Sequence, residues 1–291
     1  LRKNLPTSTS PNAFSLVELS IVLVVLGLLV GGILTGRSLI RAAQLRSVTT
    51  EQQGLVVAVK SFREKYFYLP GDLPNATQFW GAKALPANGG ACNVVKNLFS
   101  TASPTTCDGD GNGKIEASSA SGMFEDLKLW THLANAGLIP SYPYIASRDF
   151  PYSYCGGNVE SGDFPRSCPK PRIGDGVPNS GWMIYYPNSV PDLSGSGLQL
   201  AFNLSFSSNV IGLWGGGTQP YFLTPVEVWN IDTKVDDGKP ARGSVVLIGV
   251  VSVAACADTT DMNNLDANYY TSDANTRISR KLCGLGFMNQ F

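Results

Sequence analysis

A chain of 291 residues with 22 basic and 22 acidic side chains has no net charge and no Lys/Arg cluster within residues 70–291, so a specific nucleic-acid surface is not indicated. A content of 43% hydrophobic and 15% charged residues is that of a globular protein, and 31 glycines with 18 prolines signal many turns. Residues 1–13 hold Arg2 and Lys3, then a polar Pro/Ser/Thr stretch ending in Pro11-Asn12-Ala13; positive charge of this kind stays on the cytoplasmic side of a membrane. From Phe14 through Leu34 the only charge is Glu18, and a helix of that length extends about 31 Å, the thickness of a bilayer core. An ionised carboxylate at mid-membrane costs about 2.5 to 3.5 kcal/mol, so Glu18 either awaits a designated partner or is tolerated near the interface of an ordinary anchor. A secretory signal places its small-residue cleavage site after the apolar run. Here Ala13 precedes it, and a cut between Ala13 and Phe14 keeps the apolar helix and gives it a new ammonium terminus.

The run Phe14-Ser15-Leu16-Val17-Glu18-Leu19, with the long apolar stretch behind it, resembles the type IV pilin and type II secretion pseudopilin family. In that family a prepilin peptidase cleaves before an aromatic residue in such a motif; Ala13 stands where the family usually has Gly. The resemblance implies processing between Ala13 and Phe14, N-methylation of Phe14, and a role for Glu18 in attracting the N-terminus of a neighbouring subunit. Low dielectric supplies the reason, because an ammonium and a carboxylate attract far more strongly there than in water, and burying the pair would set axial register.

Past the span, Arg37, Arg41 and Arg46 mark the shift from lipid to water, while Leu45, Val48, Leu55, Val59, Phe62 and Tyr66 recur as a helical stripe. One helix from Phe14 to Tyr66 is expected, ended by Pro70-Gly71, with Gly27, Gly31, Gly32 and Gly36 as small-residue contacts between packed helices. The chain thus divides into a cytoplasmic leader (1–13), a transmembrane and assembly helix (14–36), its amphipathic continuation (37–69) and a globular head (70–291) outside the cytoplasm.

All six cysteines lie in that head, which suggests an oxidising compartment. Spacing does not select among the possible pairings; neighbour pairing, Cys92 with Cys107, Cys155 with Cys168 and Cys256 with Cys283, is the expectation. The stretch Asp108-Gly109-Asp110-Gly111-Asn112-Gly113-Lys114-Ile115-Glu116 fits the first six positions of an EF-hand-type calcium loop. Asp108, Asp110 and Asn112 offer oxygens at alternate positions, Gly113 permits the sharp turn, Lys114 offers its carbonyl, and Glu116 ligates directly or through water. The bidentate Glu due three residues later is replaced by Ser119, so another carboxylate must substitute; Glu125 and Asp126 are the candidates. The alternative is an acidic glycine-rich turn beside Cys107. A second acidic run, Asp232 to Pro240, reads most simply as the end of a helix begun by the capping box Thr224-Pro225-Val226-Glu227, with metal binding as the alternative. This run and Leu69-Pro70-Gly71-Asp72-Leu73-Pro74 also look like stretches of large-headed pilin-like proteins.

Further elements are a helix from Ser121 to Ala136 closed by Gly137, strands near Trp182 to Tyr186 and Leu198 to Leu204, and a β run Val245 to Val251. Together they predict an α+β fold, a long helix packed on an antiparallel sheet with disulfide-tied loops. The function this implies is that of a minor or tip subunit of a pilus or pseudopilus, held in the inner membrane until assembly with other pilin subunits. Two alternatives stand beside it. Trp182, Tyr185, Tyr186, Trp214, Tyr221 and Trp229 would make an aromatic platform for sugar or protein on a filament-tip adhesin. A membrane-anchored enzyme is the other, although the chain has no G-x-S-x-G elbow and His132 is its single histidine.

Overall fold

The computed structural model describes residues 15–81, 106–116, 125–140, 169–174, 180–186, 208–215, 223–248, 253–261, 263–270 and 281–291. Ala13, Phe14, Cys92, Cys155, Cys168 and the expected strand at 198–204 lie outside them. The chain forms two compact units, residues 1–44 and residues 45–291.

Helix α1, Leu16–Tyr66, is continuous for 51 residues. In the first unit its apolar side chains have nothing to cover them: Leu16 is 86% exposed, Leu23 62% and Leu34 64%. A Cβ added at Gly27, Gly31, Gly32 or Gly36 would meet nothing within 4 Å among the described residues beyond the helix's own backbone. In the second unit the same helix buries Val48, Gln52, Leu55, Ala58, Val59 and Phe62, with Leu45 and Tyr66 packed at the margin of the core. The stripe read from the sequence is therefore the buried one, with an addition: Gln52 sits within it and donates to Gln290 Oε1 at 2.9 Å. The helix ends at Phe67, whose backbone turns left-handed (φ 64°) and whose N–H bonds the Arg63 carbonyl, so Pro70-Gly71 lies in the turn that follows.

Short α2 (Ala76–Trp80) follows, then α3 (Glu125–Asn135), which Gly137 closes at φ 73°. The first residues of the expected 121–136 helix precede the described segment. Helix α4 (Pro225–Val235) carries the anticipated capping box: the Thr224 hydroxyl accepts from the Glu227 N–H while the Glu227 carboxylate accepts from the Thr224 N–H. Four strands, β1 (Ser180–Tyr185), β2 (Val210–Gly215), β3 (Val245–Ile248) and β4 (Gly284–Phe287), form an antiparallel sheet in the order β1-β2-β4-β3. Helix α3 packs on β1 and α4 on β3. This is an α+β head.

The sheet sorts its side chains by face. Val245, Leu247, Leu285 and Phe287 join the main core with Phe62, Trp130 and Trp182, while Val246 and Ile248 belong to a small cluster with Val210 and Met288. The Gly-Leu-Gly-Phe of β4 is explained by Ile248: a Cβ at Gly284 would lie 2.3 Å from its carbonyl oxygen and one at Gly286 2.7 Å from its Cγ2, and on β2 a Cβ at Gly212 would lie 2.8 Å from its Cδ1. Glycines vacate the space that this isoleucine fills. Cys256 and Cys283 are disulfide-bonded as expected, closing a loop whose ends are 27 residues apart, a constraint of about 3.5 kcal/mol on the chain-entropy account. Cys107 is also disulfide-bonded, to a partner outside the described residues.

Candidate functional site

Two places in the chain carry polar groups in settings that demand a purpose. The first is the start of α1. Glu18 lies in the first turn, and its Oε2 accepts the Ser15 N–H at 2.9 Å, so the carboxylate sits over the unsatisfied amides of the helix N-terminus. Behind it runs the one helix among the described residues that is long and apolar enough to cross a membrane, with no residue of its most apolar window buried.

The second is an acidic loop built from three segments of the head. The turn after α1 presents Asp72, the 106–116 segment passes over it, and α3 opens with Glu125. Glycines allow this close approach: a Cβ at Gly109 would fall 2.3 Å from the Asp72 carbonyl carbon, and one at Gly71 (φ 91°) would fall 2.3 Å from the Glu125 carbonyl oxygen. The Asp72 carboxylate accepts the N–H groups of Asn112 (3.0 Å) and Gly113 (2.9 Å). Glu125 accepts those of Asp110 (3.1 Å) and Glu116 (3.2 Å). Asp110 accepts from the backbone and side-chain nitrogens of Asn112. Carboxylate oxygens of Asp72, Asp110 and Glu125 lie within 4.8 Å of one another.

This trio differs from the ligand set read off the linear motif. Asp108 is directed elsewhere, accepting the Thr77 N–H (2.7 Å) and hydroxyl (3.0 Å) at the start of α2. The Asn112 side-chain oxygen accepts the Lys114 N–H, the Lys114 ammonium stands 5.0 Å from the centre of the Tyr186 ring, and Asp126 is buried outside the trio. Glu116 is joined to the start of α3 through its backbone, its carbonyl accepting from the Glu125 N–H. Glu125 lies beside Asp110, and Asp72, which the linear motif does not contain, is the third member of the trio. Its signal was present in the Pro-Gly-Asp turn directly after a long helix, where a carboxylate has no local helix to cap.

Burial drives the electrostatics. It raises Asp72 to about 6 and Glu125 to about 8, and neighbouring carboxylate charge adds to both. Lys128, also buried, donates to the Asp108 carbonyl at 2.8 Å; burial lowers its pKa against the pull of Glu125, Asp108 and Asp110. Calcium takes six to eight hard oxygens at about 2.3 to 2.6 Å, so opposed ligands stand about 5 Å apart, and the trio fits that chemistry and size. Each of its six oxygens already accepts one N–H and keeps a second lone pair for an ion.

The second acidic run makes another trio, Asp232, Asp236 and Asp237, also within 4.8 Å. Its hydrogen bonds secure the turn that the sequence predicts after the helix. Asp232 accepts from Gly238 N–H (3.2 Å) and the Tyr269 hydroxyl (2.9 Å), and Asp236 accepts from the Ser244 and Val245 N–H groups, tying the end of α4 to the start of β3. His132 is fully buried, in contact with the Phe62 and Trp80 rings. Its Nδ1 accepts the Gly71 N–H (2.9 Å), which leaves Nε2–H to donate to the Cys107 carbonyl (3.1 Å), and burial lowers it to about 3. A neutral imidazole used at both nitrogens is a brace joining two loops to α3. Of the expected aromatic platform, Trp182 and Tyr185 are core residues and Trp229 packs against the core, while Tyr221 and the Trp214 side chain lie outside what the structure describes.

No family model, curated protein or solved structure matches this chain.

Proposed function

We propose that this chain is a structural subunit, minor or at the tip, of a type IV pilus or type II secretion pseudopilus, and that it acts by assembly. The observation that carries the reading is the divided behaviour of α1: one unbroken helix exposes apolar side chains along its first half and buries a single stripe of its second half in a head. A helix apolar on every side is stable only in lipid or among other such helices. Inner-membrane insertion with a periplasmic head supplies the first setting, and a filament core the second. Cleavage between Ala13 and Phe14 by a prepilin peptidase would leave an ammonium one residue before Ser15. Glu18, now over its own helix end, would then meet the ammonium of the neighbouring subunit, and the open faces of Gly27, Gly31, Gly32 and Gly36 would let helices pack closely.

The test is Glu18→Ala in cells that make the filament. Membrane insertion should persist while incorporation into filaments falls by tenfold or more; unchanged incorporation would sink the proposal. Mass spectrometry of the mature protein should find a methylated Phe14 at its start.

A second proposal concerns the head. Calcium held by Asp72, Asp110 and Glu125 would neutralise three clustered carboxylates and brace the 106–116 loop against α3 and the turn after α1. The observation favouring it is the convergence of three carboxylates from three segments into a volume of the right size.

A further inference from the structure

A cleft of about 430 Å³ opens in the second unit where the end of α1, the acidic loop and the residue after β1 meet, a size ordinary for small-ligand sites. Its walls carry Arg63, Phe67, Tyr68, Lys114, Tyr186 and Phe291, and Asp72 is the one acidic side chain among them. Three features of these residues point to a ligand. Arg63 and Lys114 are exposed, and neither is in an ion pair among the described residues, whereas Asp72 is 1% exposed and bonded to two loop amides. Two cations therefore face the opening, and the carboxylate is engaged within the wall.

Aromatic faces accompany the charges. Tyr68 is 39% exposed, and Gly111 passes so close to its ring that a Cβ there would lie 3.2 Å from Cε1. Tyr186 lies beneath the Lys114 ammonium. Phe67 is 84% exposed and left-handed at φ 64°, in the position after a helix that Gly occupies at least cost. A large apolar ring held in strain and in water stabilises nothing in the fold; such strain collects at ligand clamps.

We propose that this cleft binds an acidic sugar, a pyranose ring that carries a carboxylate. Aromatic rings take the C–H face of the sugar, and the guanidinium of Arg63 grips the carboxylate through paired N–H bonds while Lys114 adds a point charge. An acidic peptide would use the cations and leave three aromatic walls without a purpose. The site lies wholly within residues 45–291 and stands apart from the assembly reading.

The probe is trigalacturonate, titrated by calorimetry into the full-length protein in detergent, beside neutral maltotriose and tetraglutamate. Saturable binding of trigalacturonate, at least about tenfold tighter than either comparison ligand, is the expected result. Arg63→Gln should weaken it about tenfold with an unchanged melting temperature, the loss of one charge-assisted contact. Phe67→Gly should weaken it while raising the melting temperature, a combination that a purely structural role does not produce. Absence of binding, equal affinity for maltotriose, preference for tetraglutamate, or full affinity in both variants would overturn the assignment.

Discussion

Two trios of carboxylates, each within 4.8 Å, are gathered in different ways. Asp232, Asp236 and Asp237 come from one continuous stretch, the end of α4 and the turn after it, where the Asp232 oxygens accept from Gly238 and the Tyr269 hydroxyl and Asp236 Oδ2 accepts from the amides that begin β3. Asp72, Asp110 and Glu125 come from three separated segments, and their convergence needs glycine at positions 71 and 109. Clustering of acids alone does not mark an ion site. What separates the two is the origin of the acids, one continuous stretch in the former and three separated segments in the latter. The hardest way to break the contrast is Asp236→Ala, which strips the acceptor from the Ser244 and Val245 N–H groups. Chemical unfolding of the full chain in detergent should show a loss of about 3 kcal/mol, the same with calcium or with chelator. A loss that calcium reverses would make the two trios alike.

Calcium itself sharpens the comparison from the other side. At free calcium a hundred times its dissociation constant, linkage gives about 2.7 kcal/mol, which for a head of this size is a rise in melting temperature of roughly 5 to 10 °C. Asp110→Ala should abolish the rise, and Asp236→Ala should keep it. The rise should also grow between pH 5.5 and pH 8.5, because burial holds Asp72 near 6 and Glu125 near 8 and each must lose its proton to ligate. A rise of equal size at both pH values would count against these ligands.

Much of this arrangement was legible in the sequence, and the reasons differ by element. The halves of α1 announced themselves by periodicity, an apolar run without a polar face and then a 3-4 stripe, because helical contacts repeat at fixed spacing. The start of α4 was equally plain, since a capping box is closed within four residues. The acidic loop was visible as a motif, but the motif assigned Asp108 to an ion that the fold assigns to Thr77, and it had no way to name Asp72, some forty residues upstream of the amides it holds. Strand β4 was invisible for a similar reason: two glycines in Gly-Leu-Gly-Phe lower its strand propensity, and they make sense only once Ile248 from β3 is seen lying over them. Local chemistry was readable; long-range complementarity was not.

The smallest effect concerns proton linkage in the trio of Asp232, Asp236 and Asp237. Burial, reinforced by the charges of Asp236 and Asp237, raises Asp232 to about 7 against the bonds it accepts from Tyr269 and Gly238. An unfolded aspartate titrates near 3.9, so between pH 4 and pH 7 the folded chain holds a proton that the unfolded chain has released. Stability from this group is therefore full below pH 4 and declines until about pH 7. Asp232→Asn keeps an acceptor for Gly238 and a polar partner for Tyr269 while removing the titration. Relative to the parent it should be neutral at pH 4 and more stable by about 1 to 2 kcal/mol at pH 8, read from denaturant midpoints at the two pH values. The opposite sign at pH 8 would mean that the aspartate is held ionised by something that its hydrogen bonds do not supply, and the second trio would then join the first as a candidate for a cation.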